Sequence, residues 1–378
     1  MAAINVRDLT FSYEGSYTNV FEGVSFAFDT NWRLGLIGRN GRGKTTLLRL
    51  LQGGLAHEGL IDAPLRFTVF PHTPRDIKKA AFEVADEIAP GHEFWELCRE
   101  TNLLGLPEET LFRPYGTLSG GEQTKLGIAA LFLSERDFPL IDEPTNHLDK
   151  AGREAVSEYL SRKKGFLLVS HDRALLDAVC DHMMYIGRLG VEVASGNFSQ
   201  WNENKEARDR REEAENVKLE KEIKRQRQAA MRTAEWADKV ESTKTGAGPV
   251  DRGYIGHKSA KMMKRAKSAE SRRQKAVLAK GSLLKDIDRA GELKLRPLDH
   301  HSARIATLED VSVSYGKQPV LENFSMEVAR GERIAISGPN GSGKSSVLKL
   351  IAGIDVPHTG LVRLASGLIV SYVPQDTS

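Results

Sequence analysis

The chain has 378 residues, room for two or three domains at roughly 100–200 residues each. Hydrophobic residues make up 40% and charged residues 28%, which excludes a disordered or fibrous chain, and no apolar run approaches the roughly 18 residues of a membrane-spanning helix. The 54 Lys+Arg and 51 Asp+Glu nearly cancel to +3, and two cysteines, Cys98 and Cys180, exclude a disulfide framework and read as free thiols in a reducing compartment.

The start, MAAINVRDLTFSYEG, has neither the basic nor the apolar stretch of a secretory signal, so a cytoplasmic location is expected. Residues 9–52 then give an alternating strand ending at Ser12-Tyr13, a second alternating segment, the short apolar strand LGLI (34–37), a glycine-rich loop and an amphipathic helix. The loop runs Gly38, Arg39, Asn40, Gly41, Arg42, Gly43, Lys44, Thr45, with Thr46 next, and matches G-x-x-x-x-G-K-[ST] between strand and helix. Glycines there let successive backbone N–H groups wrap phosphates, and the helix N-terminus adds positive potential. Lys44 is expected to reach the β/γ-phosphates and the Thr45 hydroxyl to bind Mg²⁺.

Further along come Leu118-Ser119-Gly120-Gly121-Glu122-Gln123 and then Phe138-Pro139-Leu140-Ile141-Asp142-Glu143, a short apolar strand ending in two carboxylates. Asp142 suits a Mg²⁺ shell and Glu143 a water-activating base. Pro144-Thr145-Asn146-His147-Leu148-Asp149 follows directly, and Val169-Ser170-His171-Asp172-Arg173 places His171 28 residues after Glu143.

From 201 to 290 the composition changes. Gly and Pro are confined to 246–257 and Gly281, and the flanks are rich in strong helix formers. Leu219, Ile223, Ala230, Ala234 and Ala237 on one flank, and Met262, Ala266, Ala269, Ala276, Leu283 and Ile287 on the other, form narrow stripes of coiled-coil spacing. The pattern predicts an antiparallel helical hairpin with its turn near 246–257. This segment holds 24 basic and 15 acidic residues, and 221–280 alone holds 17 and 6, so the basic excess is concentrated here. With Arg252, Tyr254 and His257 at the turn beside KSAKMMKRAK (258–267), the excess suits a phosphate-rich surface better than a solvated spacer.

Residues 311–352 repeat the opening order: a strand ending at Ser314-Tyr315, a second alternating segment, the strand RIAIS (333–337), a glycine-rich loop and a helix. The second loop is Gly338, Pro339, Asn340, Gly341, Ser342, Gly343, Lys344, Ser345, with Ser346 next.

Taken together, LSGGEQ, LIDEPTNHLD and VSHDR beside two such loops resemble the ATP-binding cassette (ABC) proteins, over residues 4–199 and 305–378. The resemblance implies an α/β fold with P-loop NTPase nucleotide-binding domains of the ABC type, the second incomplete, joined by a long antiparallel α-helical hairpin. It implies ATP and Mg²⁺ as cofactors, Glu143 as catalytic base and His171 at the γ-phosphate. Tyr13 and Tyr315 match the position that stacks on adenine, and Thr46 and Ser346 join the phosphate loops. Ser119, Gly120, Gly121 and Glu122 match the signature that caps a nucleotide held by an opposing loop. Thr45, Asp142, Ser345 and Gln375, the last in SYVPQ, match the magnesium-binding positions.

EPTNHLD, two cassettes on one chain and a long charged linker resemble the ABC-F family, whose members act in translation. The resemblance implies the domains 4–199, 200–300 and 305–378. It implies the ribosome as partner, near rRNA and the exit-site tRNA, reached by the basic segment 201–290, with no membrane or DNA partner. The 45 residues between His72 and Leu118 are too few for the extra arm of housekeeping members. The long linker resembles the antibiotic-resistance branch, which protects ribosomes from pleuromutilin, lincosamide and streptogramin A drugs. Two rival readings are the ATPase subunit of an ABC transporter and a non-catalytic ribosome binder.

Three departures stand out. TVFPH puts His72 where a magnesium-binding glutamine is expected, which argues against that ligand in the first cassette. Pro139 removes a ladder donor from the strand that presents Asp142. The sequence ends just past Gln375, so a truncated second cassette, impaired turnover and exposed apolar faces over 305–378 are expected.

Overall fold

The computed structural model describes residues 2–134, 136–146, 148–187, 190–242, 300–316 and 318–374. The chain divides into two compact units, Met1–Asn197 with Glu292–Ser378, and Phe198–Gly291.

The first cassette opens with β1 (Ala3–Phe11) and β2 (Phe21–Asp29), an antiparallel pair extended on the other side of β1 by β4 (Glu58–Asp62). β1 buries Ile4, Val6, Leu9 and Phe11. Strict alternation cannot put both Val6 and Leu9 on one face, since they are three residues apart. A register shift between them, with Asp8 at φ 50°, restores the face. The Asp8 N–H donates to Ser25 Oγ at 2.8 Å. Gly59 of β4 lies so close that a Cβ there would sit 2.6 Å from the carbonyl oxygens of Arg7 and Asp8.

A second sheet has the order β5-β6-β7-β3-β8-β9. Its strands are β3 (Arg33–Gly38), β5 (Arg66–Phe70), β6 (Asp137–Asp142), β7 (Phe166–Val169), β8 (His182–Ile186) and β9 (Val191–Ser195). All pairings are parallel except β8 with β9. β6 and β7 read as unbroken apolar runs because both of their faces are covered. Pro139 does not break β6. The strand keeps β5 along 137–141 and pairs with β7 from Leu140 onward, so the missing donor is confined to one ladder position.

α1 (Lys44–Leu51) buries Leu47, Leu48, Leu50 and Leu51 in a core shared by the two sheets. α2 (Ala81–Ile88) and α3 (Phe94–Leu103) pack against α4 (Gly120–Leu131). α5 (Lys150–Ser161) packs against α6 (Arg173–Val179). Glu100 of α3 is only 3% exposed and is held by the Tyr159 hydroxyl at 2.6 Å, by Arg99 at 3.0 Å and by Lys163. The Lys163 ammonium also lies 4.7 Å from the Tyr159 ring centroid.

In the other unit, α7 (Phe198–Ser242) is one helix of 45 residues, about 68 Å at 1.5 Å per residue. Lys205 and Asp209 pair across one of its turns at 2.8 Å. The expected turn near 246–257 and the returning arm lie outside the described residues.

The repeat begins with β10 (Arg304–Tyr315) and β11 (Gln318–Ala329), and β12 (His358–Leu364) pairs with β10. The bulge recurs: Asp310 has φ 48°, its N–H donates to Ser325 Oγ at 2.9 Å, and a Cβ on Gly360 would sit 2.4 Å from the Asp310 carbonyl oxygen. α8 (Lys344–Ile351) follows the second loop. RIAIS differs from expectation and is not a strand. A strand exists only by pairing, and no described segment lies beside this one as β7 and β8 lie beside β3. Its neighbourhood is open, with Ile334 exposed, Ile369 76% exposed and Val373 81% exposed.

Candidate active site

The carboxyl ends of β3, β6 and β7 converge, the place where open α/β sheets bind ligands. From β3 the chain turns through the first glycine-rich loop into α1. Gly41 and Gly43 take φ 79° and 87°, and Gly43 caps α1 in the left-handed conformation. Gly43 also packs tightly, since a Cβ there would meet Val20 Cγ1 at 2.6 Å.

Lys44 Nζ donates to the carbonyl oxygens of Gly38 at 2.9 Å and Arg39 at 3.5 Å, and to Asn40 Oδ1 at 3.3 Å. The ammonium is thus folded over its own loop. Thr45 Oγ1 donates to Asp142 Oδ2 at 2.9 Å, joining α1 to the end of β6. The Tyr13 hydroxyl bonds the Thr46 hydroxyl at 2.9 Å, and the Tyr13 ring meets Phe11 edge-on at 4.9 Å.

Glu143 takes φ 49°, and its N–H donates to the Val169 carbonyl at 2.9 Å. This left-handed turn aims the carboxylate toward β7. Glu143 Oε2 accepts the His171 N–H at 3.3 Å, and Oε1 lies 3.5 Å from His171 Nε2. Oε1 is buried and has no hydrogen-bond partner. These groups line one cavity of about 400 Å³, in which Tyr13, Asn40, Lys44, Thr45, Asp142, Glu143 and His171 face each other.

Burial dominates the electrostatics. It raises the pKa of Asp142, against the Thr45 hydrogen bond and the Lys44 charge. It raises that of Glu143, with Asp142 adding to the rise and His171 opposing it. It lowers that of Lys44, against Glu143 and Asp142. All three are pushed toward neutrality, which a cation at Asp142 and a polyanion at Lys44 would reverse for those two groups. The Thr45 and Asp142 oxygens form the hard hydroxyl-plus-carboxylate set that suits Mg²⁺ completed by water and phosphate. Among the described residues no group of three or more His, Cys, Asp or Glu is arranged to hold a metal by itself.

The signature residues sit elsewhere, at the N-terminus of α4, and none lines this cavity. Ser119 caps α4: its Oγ accepts the Glu122 N–H at 3.2 Å while Glu122 Oε2 accepts the Ser119 N–H at 2.7 Å. This capping box and Arg113, 3.3 Å from Oε1, hold the Glu122 carboxylate. Burial opposes ionisation of Glu122, but these partners outweigh it and lower its pKa. Ser119 Oγ and the first amides of α4 complete the segment.

His72 Nε2 is buried without a hydrogen-bond partner, 3.6 Å from Glu87 Oε2. It is turned toward α2 and does not line the cavity. The second loop repeats the first: Gly341 and Gly343 have φ 81° and 83°, Lys344 Nζ donates to Gly338 at 2.9 Å and Pro339 at 2.6 Å, and the Tyr315 hydroxyl bonds Ser346 Oγ at 3.0 Å. Ser345 lies in the first turn of α8, and Gln375 lies outside the described residues. Sequence reasoning missed Arg113, Val20 and Val169. Only the fold brings them to their places, and no local pattern marks them.

Comparison with known proteins agrees with this geometry. Residues 21–146 and 321–376 match the family model described as ABC transporter. The chain is 27% identical over 426 residues to "Uncharacterized ABC transporter ATP-binding protein YfmR" of Bacillus subtilis (strain 168), covering 100% of this chain and 62% of that protein. It is 27% identical over 373 residues to "Ribosome protection protein VmlR" of the same organism, covering 97% and 64%. It is 24% identical over 409 residues to "Energy-dependent translational throttle protein EttA" of Escherichia coli O6:H1, covering 94% and 67%. The chain therefore spans about two thirds or less of these relatives' length. No helix among the described residues is long and apolar enough to cross a membrane. The segments that match the ABC transporter model, 21–146 and 321–376, are those that carry the two glycine-rich loops.

Proposed function

We propose that this chain binds and hydrolyses ATP as an ABC-F-type cytoplasmic protein that works on the ribosome. The observation that carries the ATPase reading is the convergence of Lys44, the Thr45–Asp142 pair and the Glu143–His171 pair on one cavity. The backbone amides of 38–45 and the helix N-terminus take the phosphates, and Lys44 leaves its carbonyl partners for the β/γ-phosphates. Glu143 accepts the proton of a water that attacks the γ-phosphorus, while the bond to the β-phosphate oxygen breaks and ADP leaves. A carboxylate with a raised pKa suits that role. His171 holds Glu143 through its N–H and presents its exposed ring to the γ-phosphate. Bound at Thr45 and Asp142, Mg²⁺ would supply charge neutralisation at the phosphate oxygens. Ser119, Gly120 and Gly121 cap a nucleotide held on 338–346 when the cassettes close.

The domains are assigned as 4–199, 200–300 and 305–378. The basic segment 201–290 is the ribosome-facing element, in reach of rRNA and the exit-site tRNA. Its charge and the relative named a ribosome protection protein support this, and the resemblance of the linker to the antibiotic-resistance branch adds protection against drugs at the peptidyl-transferase centre to the proposal. Co-sedimentation with ribosomes in ATP, with and without residues 246–257, tests the reading. Association of the intact chain and its loss in the deletion are expected. Failure of the intact chain to sediment with ribosomes would overturn the translational role. A translation assay with a pleuromutilin checks protection.

A further inference from the structure

The two phosphate loops share a contact that spacing alone does not reveal. In each copy, the tyrosine at or two residues beyond the end of the first long strand bonds the hydroxyl two residues after the loop lysine. The pairs are Tyr13 with Thr46 at 2.9 Å and Tyr315 with Ser346 at 3.0 Å. The tyrosines are half exposed, at 43% and 48%, whereas Thr46 and Ser346 are buried at 7% and 5%. Each pair thus has one half-exposed end and the other inside the first turn of the helix that follows the loop, and in the first copy both residues line the cavity. The copies differ in sequence on both sides of the bond. Thr stands where Ser does, and the residue two before the tyrosine is Phe11 in one and Val313 in the other. The bond persists through those changes.

We propose that Thr46 and Ser346 are positioning residues that couple base recognition to phosphate binding, each fixing the tilt of its tyrosine ring by accepting the phenol proton. This rests on the reading of both loops as ATP sites and adds a role for the hydroxyl. With the phenol donating, the Thr46 or Ser346 proton is left to point into the loop toward a phosphate oxygen. The hydroxyl then links the base platform to the phosphates in one chain of hydrogen bonds. Without it the tyrosine ring would still be present but would rotate about χ1 and χ2, and its ordering would be charged against nucleotide binding.

A double-mutant cycle read by calorimetry on the full chain tests this, in a Lys344→Ala background so that the first loop alone reports. The probes are ATP and inorganic triphosphate, which has no base. Tyr13→Phe keeps the ring and is expected to weaken ATP about threefold to tenfold, the worth of one neutral hydrogen bond, with a smaller loss for triphosphate. Thr46→Val should weaken ATP by at least as much, the double variant no more than Thr46→Val alone, and Thr46→Ser should restore binding, as Ser346 already does in the other copy. Additive losses would overturn the coupling. So would equal losses for ATP and triphosphate, which indicate a purely structural tie, or a neutral Tyr13→Phe in a chain that binds ATP. A parent chain that binds neither probe would instead overturn the ATP-site reading.

Discussion

The Thr45 hydroxyl donates to Asp142 Oδ2 at 2.9 Å across 97 residues of chain, and this bond ties the phosphate loop to the end of β6. Asn in place of Asp142 keeps an oxygen for Thr45 but removes the charge. Asp142→Asn should therefore leave ATP binding in excess chelator unchanged and cut the magnesium-dependent gain in affinity about tenfold or more. Nucleotide titrations with and without magnesium check this.

Glu143→Gln should lower ATP turnover by at least about a hundredfold while ATP affinity is kept, because amide and carboxylate share a shape but only the carboxylate accepts a proton. The pH profile carries the sign of the burial effect. The active form is the ionised one, so turnover falls as pH falls through the raised Glu143 pKa, and the acid limb should lie above the usual carboxylate range. Turnover measured from acid to neutral pH would show it.

Glu100 is the most deeply buried carboxylate among the described residues, and Lys163 is its neutralising partner. Lys163→Met leaves that charge with only Tyr159 and Arg99 and should cost about 3 kcal/mol. Converting both partners to Met should recover most of the loss, since no charge is then stranded. Urea unfolding of the two variants distinguishes the outcomes.

Glu87 accepts the Arg75 N–H at 3.1 Å and pairs with Lys79 at 3.0 Å, and these contacts bring its pKa down to about 2. A carboxylate depressed in the folded state stabilises fully above its unfolded value of 4.5, and that contribution disappears as pH falls toward 2. Glu87→Gln should therefore be less stable at neutral pH and unfold at a higher pH on acidification. The difference from the parent should close near pH 2. Acid titration followed by circular dichroism reads both.

The duplicated module, both phosphate loops and the strand-end carboxylates were legible because each is written in a few consecutive residues. The sequence named Thr45, Asp142, Glu143 and His171 as candidates by motif and resemblance, but the contacts of Asp142 with Thr45 and of Glu143 with His171 come from the fold. What stayed hidden depends on contacts remote in sequence. The Asp8 and Asp310 bulges arise from the fit of β4 and β12 against a neighbouring strand. The Glu100–Lys163 pair joins α3 to the segment just past α5 across 63 residues, and Arg113 reaches Glu122 across a turn. RIAIS failed as a strand for a related reason: its apolar pattern records a preference that only a paired neighbour can realise. The spacing of Glu122 from Ser119 is that of a capping box as well as of the signature motif.

One consequence lies in the backbone of Glu143. Its φ of 49° is a conformation that a side-chain-bearing residue holds at a cost of about 1–3 kcal/mol and that glycine adopts freely. The residue that works against its own backbone is the one assigned the chemistry. Glu143→Gly should thus melt at a higher temperature than the parent while losing turnover, so that the most stable version of this loop and the most active one are different sequences. Selection for robustness alone would erode the site at that position first.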